Sequence, residues 1–178
     1  MTSELRLVFD ATCLNHFARI DRIDVLGHLL VGCVCTTTEL VREELRNGVN
    51  QHASIASALE ADWLGIDQLD AFEALLAFER WTRRIGSGSR DVGEASVFAV
   101  AELNGAIAIC DDAAATKVAR RYDLETHGTL WLLAWSCRLG KLGIGEGATL
   151  IEMLVDSGMR LPCSGSGFAQ WAGQHGLL

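Results

Sequence analysis

The sequence predicts an α/β fold, a three-layer α/β/α sandwich with a mainly parallel central sheet, from two observations. Short runs of strand-like composition alternate along the chain with longer segments of helical periodicity. Strands separated by helices favour parallel pairing. The chain has 178 residues, 49% of them hydrophobic and 21% charged, which is enough to bury one core. We therefore expect a single domain over residues 1–178.

The first half of the chain contains three predicted strands, each followed by segments of helical periodicity. Thr36, Thr37 and Thr38 are candidate N-caps for the third helix, and Asn47-Gly48 is its expected end. The predicted strands are residues 5–9, 33–35 and 63–69, and the predicted helices are residues 12–20, 25–31, the threonines to 46, 50–61 and 70–85.

The second half follows Gly86-Ser-Gly-Ser89, a loop too short to divide two domains. A helix over residues 91–103 should end at Asn104-Gly105. From about residue 158 the sequence, which includes the only proline, Pro162, predicts an irregular C-terminal tail. Between these segments we predict a strand over residues 106–110 and helices over residues 113–121, 129–139 and 146–157.

Composition argues against several classes of protein. No apolar run reaches the roughly 18 to 20 residues of a membrane span, and the N-terminus lacks the basic start of a signal peptide. We therefore expect a soluble, cytoplasmic protein. The six cysteines form no Cys-x-x-Cys pair and the five histidines are scattered, which disfavours disulfides and zinc. A net charge of −8 argues against broad nucleic-acid binding through Lys and Arg.

Aspartates follow two of the apolar strands. Phe9 leads into Asp10, and Cys110 leads into Asp111-Asp112. Ligands of parallel sheets bind beyond the carboxyl ends of the strands, so both positions can face one crevice. The alternative for Asp10, and for one member of the later pair, is an N-cap of the following helix.

Two glutamates on predicted helices complete the acidic candidates. Glu44 falls among apolar neighbours on one helix face and is the functional candidate, whereas Glu43 points to the opposite side. A buried carboxylate is costly unless it is paired, protonated or metal-bound, so a salt bridge to an arginine is the alternative. Glu94 follows Gly93 directly and Asp91 by three residues, which fits either a crowded site or a capping box.

The acidic set suits divalent-cation chemistry. Mg²⁺ and Mn²⁺ prefer oxygen ligands, commonly a few carboxylates with waters and substrate phosphate. Such an ion lowers the pKa of a bound water and stabilises charge on a phosphoryl oxygen. No Ser, Cys or His nucleophile is needed, and none is evident in the sequence.

The segments that carry these acids resemble PIN-domain nucleases, particularly the VapC-like toxins of bacterial and archaeal toxin–antitoxin systems. They occur in the family's order and span most of residues 5–160, whereas the sequence after about Gly158 has no counterpart. The matching segments are Val8-Phe-Asp10-Ala-Thr12, Val41-Arg-Glu-Glu44-Leu, Gly93-Glu94-Ala-Ser-Val-Phe-Ala and Ile109-Cys-Asp-Asp112-Ala-Ala-Ala-Thr-Lys-Val-Ala119, continuing to Gly128-Thr129-Leu-Trp-Leu-Leu133.

The resemblance implies a PIN-like fold and an endoribonuclease dependent on Mg²⁺ or Mn²⁺. It gives supporting or substrate-contact roles to Thr12 and Thr129. It also implies an RNA substrate, an antitoxin that blocks the acidic crevice, and a homodimer. The metal ligands that it implies are Asp10, Glu44, Glu94 and one or both of Asp111 and Asp112.

A short run of arginines offers local positive charge for nucleic-acid binding, although the net charge of the chain is negative. No acidic residue lies between Arg80 and Arg90, and the run leads to Glu94. One hypothesis is that Arg83, Arg84 and Arg90 guide RNA phosphates. The alternative is a solvated helix end whose arginines complement the helix dipole.

Two other functions are compatible with parts of the sequence. A phosphatase with an aspartate nucleophile would need a second aspartate two residues after Asp10, where the chain has Thr12. A catalytically inactive PIN-like binding or regulatory subunit would have no reason to retain acids facing a crevice. We therefore predict an active nuclease. Candidates for an apolar partner-binding surface are Trp81, Phe168 and Trp171.

Overall fold

A computed structural model describes residues 4–86 and 91–178. Its strands form one sheet with the order β3-β2-β1-β4-β5, and every neighbouring pair is parallel. Helices flank the sheet, so the predicted α/β/α sandwich with a parallel centre is confirmed. The strands are β1 (Leu5–Phe9), β2 (Cys33–Thr38), β3 (Leu64–Asp67), β4 (Ile107–Ile109) and β5 (Thr126–His127).

In the second half of the chain the observed helices agree closely with the predicted ones. In the first half the agreement is poorer directly after the third helix. The α-helices are α1 (Ala11–Arg19), α2 (Ile23–Leu29), α3 (Glu39–Val49), α4 (Ala56–Leu59), α5 (Phe72–Ile85), α6 (Val92–Asn104), α7 (Ala113–Arg121), α8 (Thr129–Arg138), α9 (Ile144–Asp156) and α10 (Phe168–Gln174). Short 3₁₀ turns occupy Ala53–Ile55 and Gly165–Gly167.

The strand order creates a crevice beside the central strand. β2 and β3 extend from one side of β1, and β4 and β5 extend from the other, so the winding reverses between β1 and β4. Ligands of open parallel sheets bind at such a reversal, beyond the carboxyl ends of the strands. The backbone N–H of Asp10 donates to the carbonyl of Ile109 at 2.9 Å, which joins the ends of β1 and β4.

The prediction for the end of α3 is wrong. The helix continues through Asn47-Gly48 to Val49 instead of ending at residue 46. Gly48 is a packing position, since a Cβ there would lie 3.1 Å from Cδ1 of Ile55. The helix predicted over residues 50–61 is reduced to one 3₁₀ turn and the four-residue α4.

Two strands also differ from the prediction. β2 includes all three threonines, which pair with β3, so only Thr38 caps α3 and its hydroxyl accepts a hydrogen bond from the Val41 N–H at 3.2 Å. The sequence does not predict β5, because two residues carry no alternation of apolar and polar side chains. β5 pairs with Ala108 and Ile109 of β4.

The C-terminal segment is more regular than the predicted tail. It includes α10, whose Phe168 and Ala172 side chains are 0% exposed. Gly165 allows the segment to approach α9 closely: a Cβ there would lie 2.2 Å from the Ala148 carbonyl oxygen, and its N–H donates to Glu152 at 2.7 Å. The segment therefore packs onto α9 and contributes to the core.

The candidate partner-binding aromatics are largely inside the protein. Trp81 and Phe168 are 0% exposed, which corrects the expectation of a surface position, and only Trp171 is partly exposed. All six cysteines are free thiols. In the part of the chain that the structure describes, no helix combines the length and apolarity that crossing a membrane requires.

Candidate active site

Asp10 lies at the end of the central strand and is the most buried of the candidate acids. Its side chain is 2% exposed. It occupies the N-cap position of α1, but among the described residues its carboxylate makes no capping hydrogen bond and its Oδ1 has no hydrogen-bond partner. Burying an unpartnered carboxylate oxygen is costly.

The surroundings of Asp10 oppose its ionisation. Burial, followed by the charge of Glu44, raises the pKa of Asp10 from an ordinary value of 3.8 to about 7. The backbone N–H groups of Ala11 and Thr12 oppose this rise, and the charge of Asp111 adds a smaller contribution to it. Without a cation, a substantial fraction of Asp10 therefore holds a proton at neutral pH.

The carboxylates of Glu44 and Asp10 approach the same residue of α6, Gly93. A Cβ built on Gly93 would lie 3.0 Å from Oε2 of Glu44 and 3.7 Å from Oδ1 of Asp10. Gly93 therefore makes room for two carboxylates, which agrees with the crowded site that the sequence suggested. Without a side chain at this position, the acids from β1 and α3 can converge on the first turn of α6.

Glu44 is more accessible than predicted. It is exposed, like Glu43. Its carboxylate end is nevertheless partly enclosed: desolvation, followed by the charge of Glu94, raises the pKa of Glu44. Within residues 4–86 and 91–178 it forms no ion pair, so the alternative of a salt bridge to an arginine has no support there.

Glu94 lies in the first turn of α6, the most buried helix. Every residue from Gly93 to Ala101 is buried except Glu94, which is partly exposed. Burial raises the pKa of Glu94 to about 7, and the charge of Asp10 is the next cause. The charges of Asp91 and Asp112 contribute further. In the described structure the Asp91 side chain forms no N-cap hydrogen bond to α6, which leaves the capping-box alternative without support.

Two buried hydroxyls, Thr38 and Ser96, fix the helices that carry the glutamates. The Ser96 hydroxyl donates to the Gly93 carbonyl at 2.6 Å, and its oxygen lies 2.6 Å from the hydroxyl of Thr38. Thr38 in turn accepts from the Val41 N–H at 3.2 Å. This chain of hydrogen bonds links the first turns of α3 and α6. Sequence reasoning identified Thr38 only as a cap and did not single out Ser96, since their contact joins residues 58 positions apart.

Asp111 is held by the start of α8. The Thr129 N–H donates to Oδ1 of Asp111 at 2.8 Å, and the Thr129 hydroxyl donates to Oδ2 at 2.7 Å. A Cβ at Gly128 would lie 2.7 Å from Oδ1, so this glycine is required for the contact. Burial raises the pKa of Asp111, while the two bonds from Thr129 oppose that rise.

Asp112 has different surroundings from its neighbour. Its side chain is exposed, and its Oδ1 accepts a hydrogen bond from the Ala115 N–H at 2.7 Å, so it caps α7. It still lies close enough to Glu94 for its charge to raise the pKa of that residue. The charge of Asp111 thus acts on the pKa of Asp10, and that of Asp112 acts on the pKa of Glu94.

The candidate acids offer the oxygen ligands that a hard divalent cation prefers, but their carboxylates are not as close together as the ligands of one metal ion. Among the described residues, no group of three or more His, Cys, Asp or Glu side chains is arranged to hold a metal ion. All five candidates nevertheless offer carboxylate oxygens, and the buried Oδ1 of Asp10 has no partner in the described structure. Burial, and after it mutual repulsion, raises the pKa of Asp10, Glu44 and Glu94, and a cation would offset that repulsion.

Arg84 lies away from the acidic cluster. Its guanidinium stacks on the rings of Trp81 at 4.6 Å and Tyr122 at 3.9 Å, and it lies 3.6 Å from the carboxylate of Glu102. Glu102 follows Glu94 by eight residues on α6, which corresponds to about 12 Å along the helix axis.

The other arginines of the basic run and Thr12 complete the predicted set. Arg83 is exposed and forms an ion pair with Glu79, one turn earlier on α5. Arg90 lies outside the described residues. Thr12 is partly exposed in the first turn of α1, where its N–H lowers the pKa of Asp10. The structure therefore brings the acids and Thr129 together, but not Arg83 or Arg84.

Comparison with known proteins gives one finding for the whole region of the site. A protein-family model described as a PIN domain matches residues 6–164 of the 178-residue chain. None of the curated proteins matches the chain. The matched region contains every candidate acid and both of the glycines that make room for them, Gly93 and Gly128.

Proposed function

The chain belongs to the PIN-domain family, and on this premise we propose that it is a metal-dependent endoribonuclease that hydrolyses RNA phosphodiester bonds. PIN domains are generally nucleases. The observation that carries the proposal is Asp10: a carboxylate 2% exposed at the end of the central strand, with an oxygen that lacks a partner among the described residues. Such a group is stabilised by a cation or by a proton.

The proposed cofactor is Mg²⁺ or Mn²⁺. When bound, the ion would supply an activated water and stabilise charge on the phosphate. Binding would displace the proton that the raised pKa of Asp10 retains at neutral pH. The residues that would hold it are Asp10, Glu44, Glu94 and one or both of Asp111 and Asp112.

The remaining residues of the site position these acids. Thr129 fixes the orientation of Asp111 through two hydrogen bonds, and Gly128 leaves the space for that contact. Thr38 and Ser96 hold α3 against α6, and therefore Glu44 against Glu94. Hydrogen bonds behind a ligand set orientation and ligand basicity, so these residues should affect metal affinity without touching the ion.

We further propose that the protein is the toxin of a toxin–antitoxin pair, acting on RNA in the cytoplasm. The proposed partners are RNA, an antitoxin that covers the acidic crevice, and a second copy of the chain. An exposed apolar row on α5 supports a protein partner: Phe72, Leu75 and Leu76 are 74%, 50% and 47% exposed and lie on one helix face. Light scattering of the purified chain and of a Leu76→Glu variant tests the homodimer.

Cleavage of a mixed, fluorescently labelled RNA pool tests the nuclease. Purified protein is incubated with Mg²⁺, with Mn²⁺ and with EDTA. We expect metal-dependent cleavage that falls by about 100-fold or more in Asp10→Asn and Glu44→Gln. Glu43→Gln is the matched control, because Glu43 is the exposed neighbour of Glu44, and it should retain activity. Failure of folded, antitoxin-free protein to cut under any condition would favour the inactive binding or regulatory subunit.

A further inference from the structure

A groove of about 790 Å³ opens directly beside the acidic site. Asp111 and Asp112 belong to its lining, so the groove is continuous with the candidate active site. The rest of its wall comes from α7, from the β5–α8 junction and from the C-terminal segment, including α10. This C-terminal wall extends beyond the region that matches the PIN-domain family, which ends at residue 164.

Two pairs of stacked rings line the groove. The rings of His127 and Trp131 are almost parallel, with centroids 3.9 Å apart and an interplanar angle of 7°. The rings of Trp171 and His175 stack at 4.2 Å. All four side chains line the groove, and each is at least partly exposed. Flat rings at a polar surface are the platforms on which proteins stack the unpaired bases of single-stranded nucleic acid.

Two arginines give the same groove a local positive charge. Arg120 and Arg160 are exposed lining residues, and within the described chain neither forms an ion pair with a carboxylate. Arg120 donates to the Thr126 carbonyl at 3.2 Å, which fixes its guanidinium near His127. In the described lining, the carboxylates are those of Asp111 and Asp112, at the acidic site itself. In a chain of net charge −8, this groove therefore suits an anionic strand.

We propose that this groove binds a single-stranded segment of the RNA substrate beside the cleavage site. Bases stack on His127, because Trp131 is itself covered by His127 and Trp135, and on the Trp171–His175 pair. Phosphates contact Arg120 and Arg160. The inference rests on the proposed nuclease function and adds to it the surface that holds the strand, which is formed in part by residues beyond the family match. A double helix keeps its bases stacked on one another and cannot use these rings.

Binding of fluorescein-labelled RNA, measured by anisotropy at several salt concentrations, tests the groove. The parent is the full chain carrying Asp10→Asn, which prevents cleavage, and the probes are a ten-nucleotide single strand and its duplex. One variant carries Arg120→Gln and Arg160→Gln, and its matched control carries Arg121→Gln and Arg138→Gln, two exposed arginines outside the groove lining. A third variant is Trp171→Leu, and Trp171→Phe is its conservative partner.

We expect the groove arginine pair to weaken single-strand binding by about tenfold and to lower the salt slope by roughly 0.7 for each lost phosphate contact. Trp171→Leu should weaken binding by about tenfold and Trp171→Phe should restore it. The control pair should bind like the parent. If both groove variants bind the single strand as tightly as the parent, the inference is wrong, and a protein ligand becomes the better occupant of the groove.

The two proposals can fail separately. Cleavage by the chain with intact acids, together with unchanged binding by the groove variants, overturns the groove and leaves the nuclease standing. Groove-dependent binding without cleavage by the intact chain supports the groove and contradicts the nuclease. An intact chain that neither binds nor cuts RNA contradicts both.

Discussion

At the scale of single residues, the site combines two influences that disfavour folding. Asp10 is almost fully buried, and it lies beside other carboxylates whose charges add to the cost of ionising it. Asp111 is also enclosed, but two donors from Thr129 compensate it. The two aspartates that end adjacent strands therefore differ: both oxygens of Asp111 accept hydrogen bonds from Thr129, whereas Oδ1 of Asp10 has no partner among the described residues.

We predict that the metal-free protein loses stability as pH rises toward 7 and that the loss levels off above that pH. The unfolded chain releases the Asp10 proton near 3.8, while the folded protein retains it up to about 7. The stabilisation is complete below the lower value and is lost as pH rises through the higher one, because the unfolded state then binds fewer protons. Thermal unfolding in EDTA between pH 5 and 8 measures this. Glu94 should act in the same direction, since its pKa is also raised to about 7.

Asp10→Asn is the test of that assignment. The amide cannot ionise, so the variant should be more stable than the parent at pH 8 and should vary less with pH. A gain of about 1 kcal/mol would raise the melting temperature by roughly 2–4 °C. Equal pH dependence in the two proteins would show that Asp10 is not the group responsible.

Gly128→Ala should damage the site while leaving the fold intact. The added Cβ would lie 2.7 Å from Oδ1 of Asp111, so that carboxylate must move away from Thr129. We expect a loss of metal affinity or cleavage rate of about 10- to 100-fold. The matched control is Gly145→Ala in α9, where the new Cβ meets no atom of the described structure within 4 Å. Equal effects of the two substitutions on cleavage would contradict the role given to Gly128.

At the scale of elements, the sequence predicted the helices and strands that have a clear periodicity. It did not predict the features that depend on tertiary contacts. β1, α5 and α7 have clear patterns and lie where expected. Position 48 looked like a helix end because glycine often ends helices, yet here it makes room for Ile55. Periodicity also gave the face of α3 that carries Glu44, but it could not show that Glu44 itself is exposed while Val41 and Leu45 on the same face are buried.

For the candidate site, too, the sequence predicted some features and not others. Strand ends gave Asp10 and the Asp111-Asp112 pair, because the edge of a parallel sheet follows from the strand–helix pattern. The pattern could not separate Asp111 from Asp112: their difference comes from Thr129, 18 residues after Asp111, and from the cap of α7. A contact between residues far apart in the chain leaves no local signal.

Ser96→Ala tests the hydrogen-bonded link between α3 and α6. The substitution removes a buried hydroxyl that donates to the Gly93 carbonyl and contacts Thr38, so we expect a loss of about 1–3 kcal/mol in the free energy of unfolding and slower cleavage. Ser136→Ala is the control: Ser136 is equally buried, but its hydroxyl donates only within α8, to Leu132. Denaturant unfolding and RNA cleavage of both variants measure the difference, and equal activity losses would rule out a specific link.

At the scale of the whole molecule, the C-terminal segment completes the core and also forms one wall of the groove. Phe168 is fully buried, and its ring would lie 2.8 Å from a Cβ at Gly147 of α9. We expect Phe168→Ala to cost about 3–5 kcal/mol of stability. Chemical denaturation measures this, with Gln174→Ala at the exposed end of α10 as the control. An unchanged unfolding midpoint in Phe168→Ala would mean that the segment is not part of the cooperative fold.

The distribution of the site along the chain sets when the proposed activity can begin. Asp10 is made early, whereas Thr129, which fixes Asp111, follows roughly 120 residues later. At a translation rate of about 5–20 residues per second, about 6–24 s separate the two. During that interval the ribosome carries a chain that has its first acid but cannot assemble the site. If the chain has the proposed activity, that activity would therefore be absent during this interval of its synthesis.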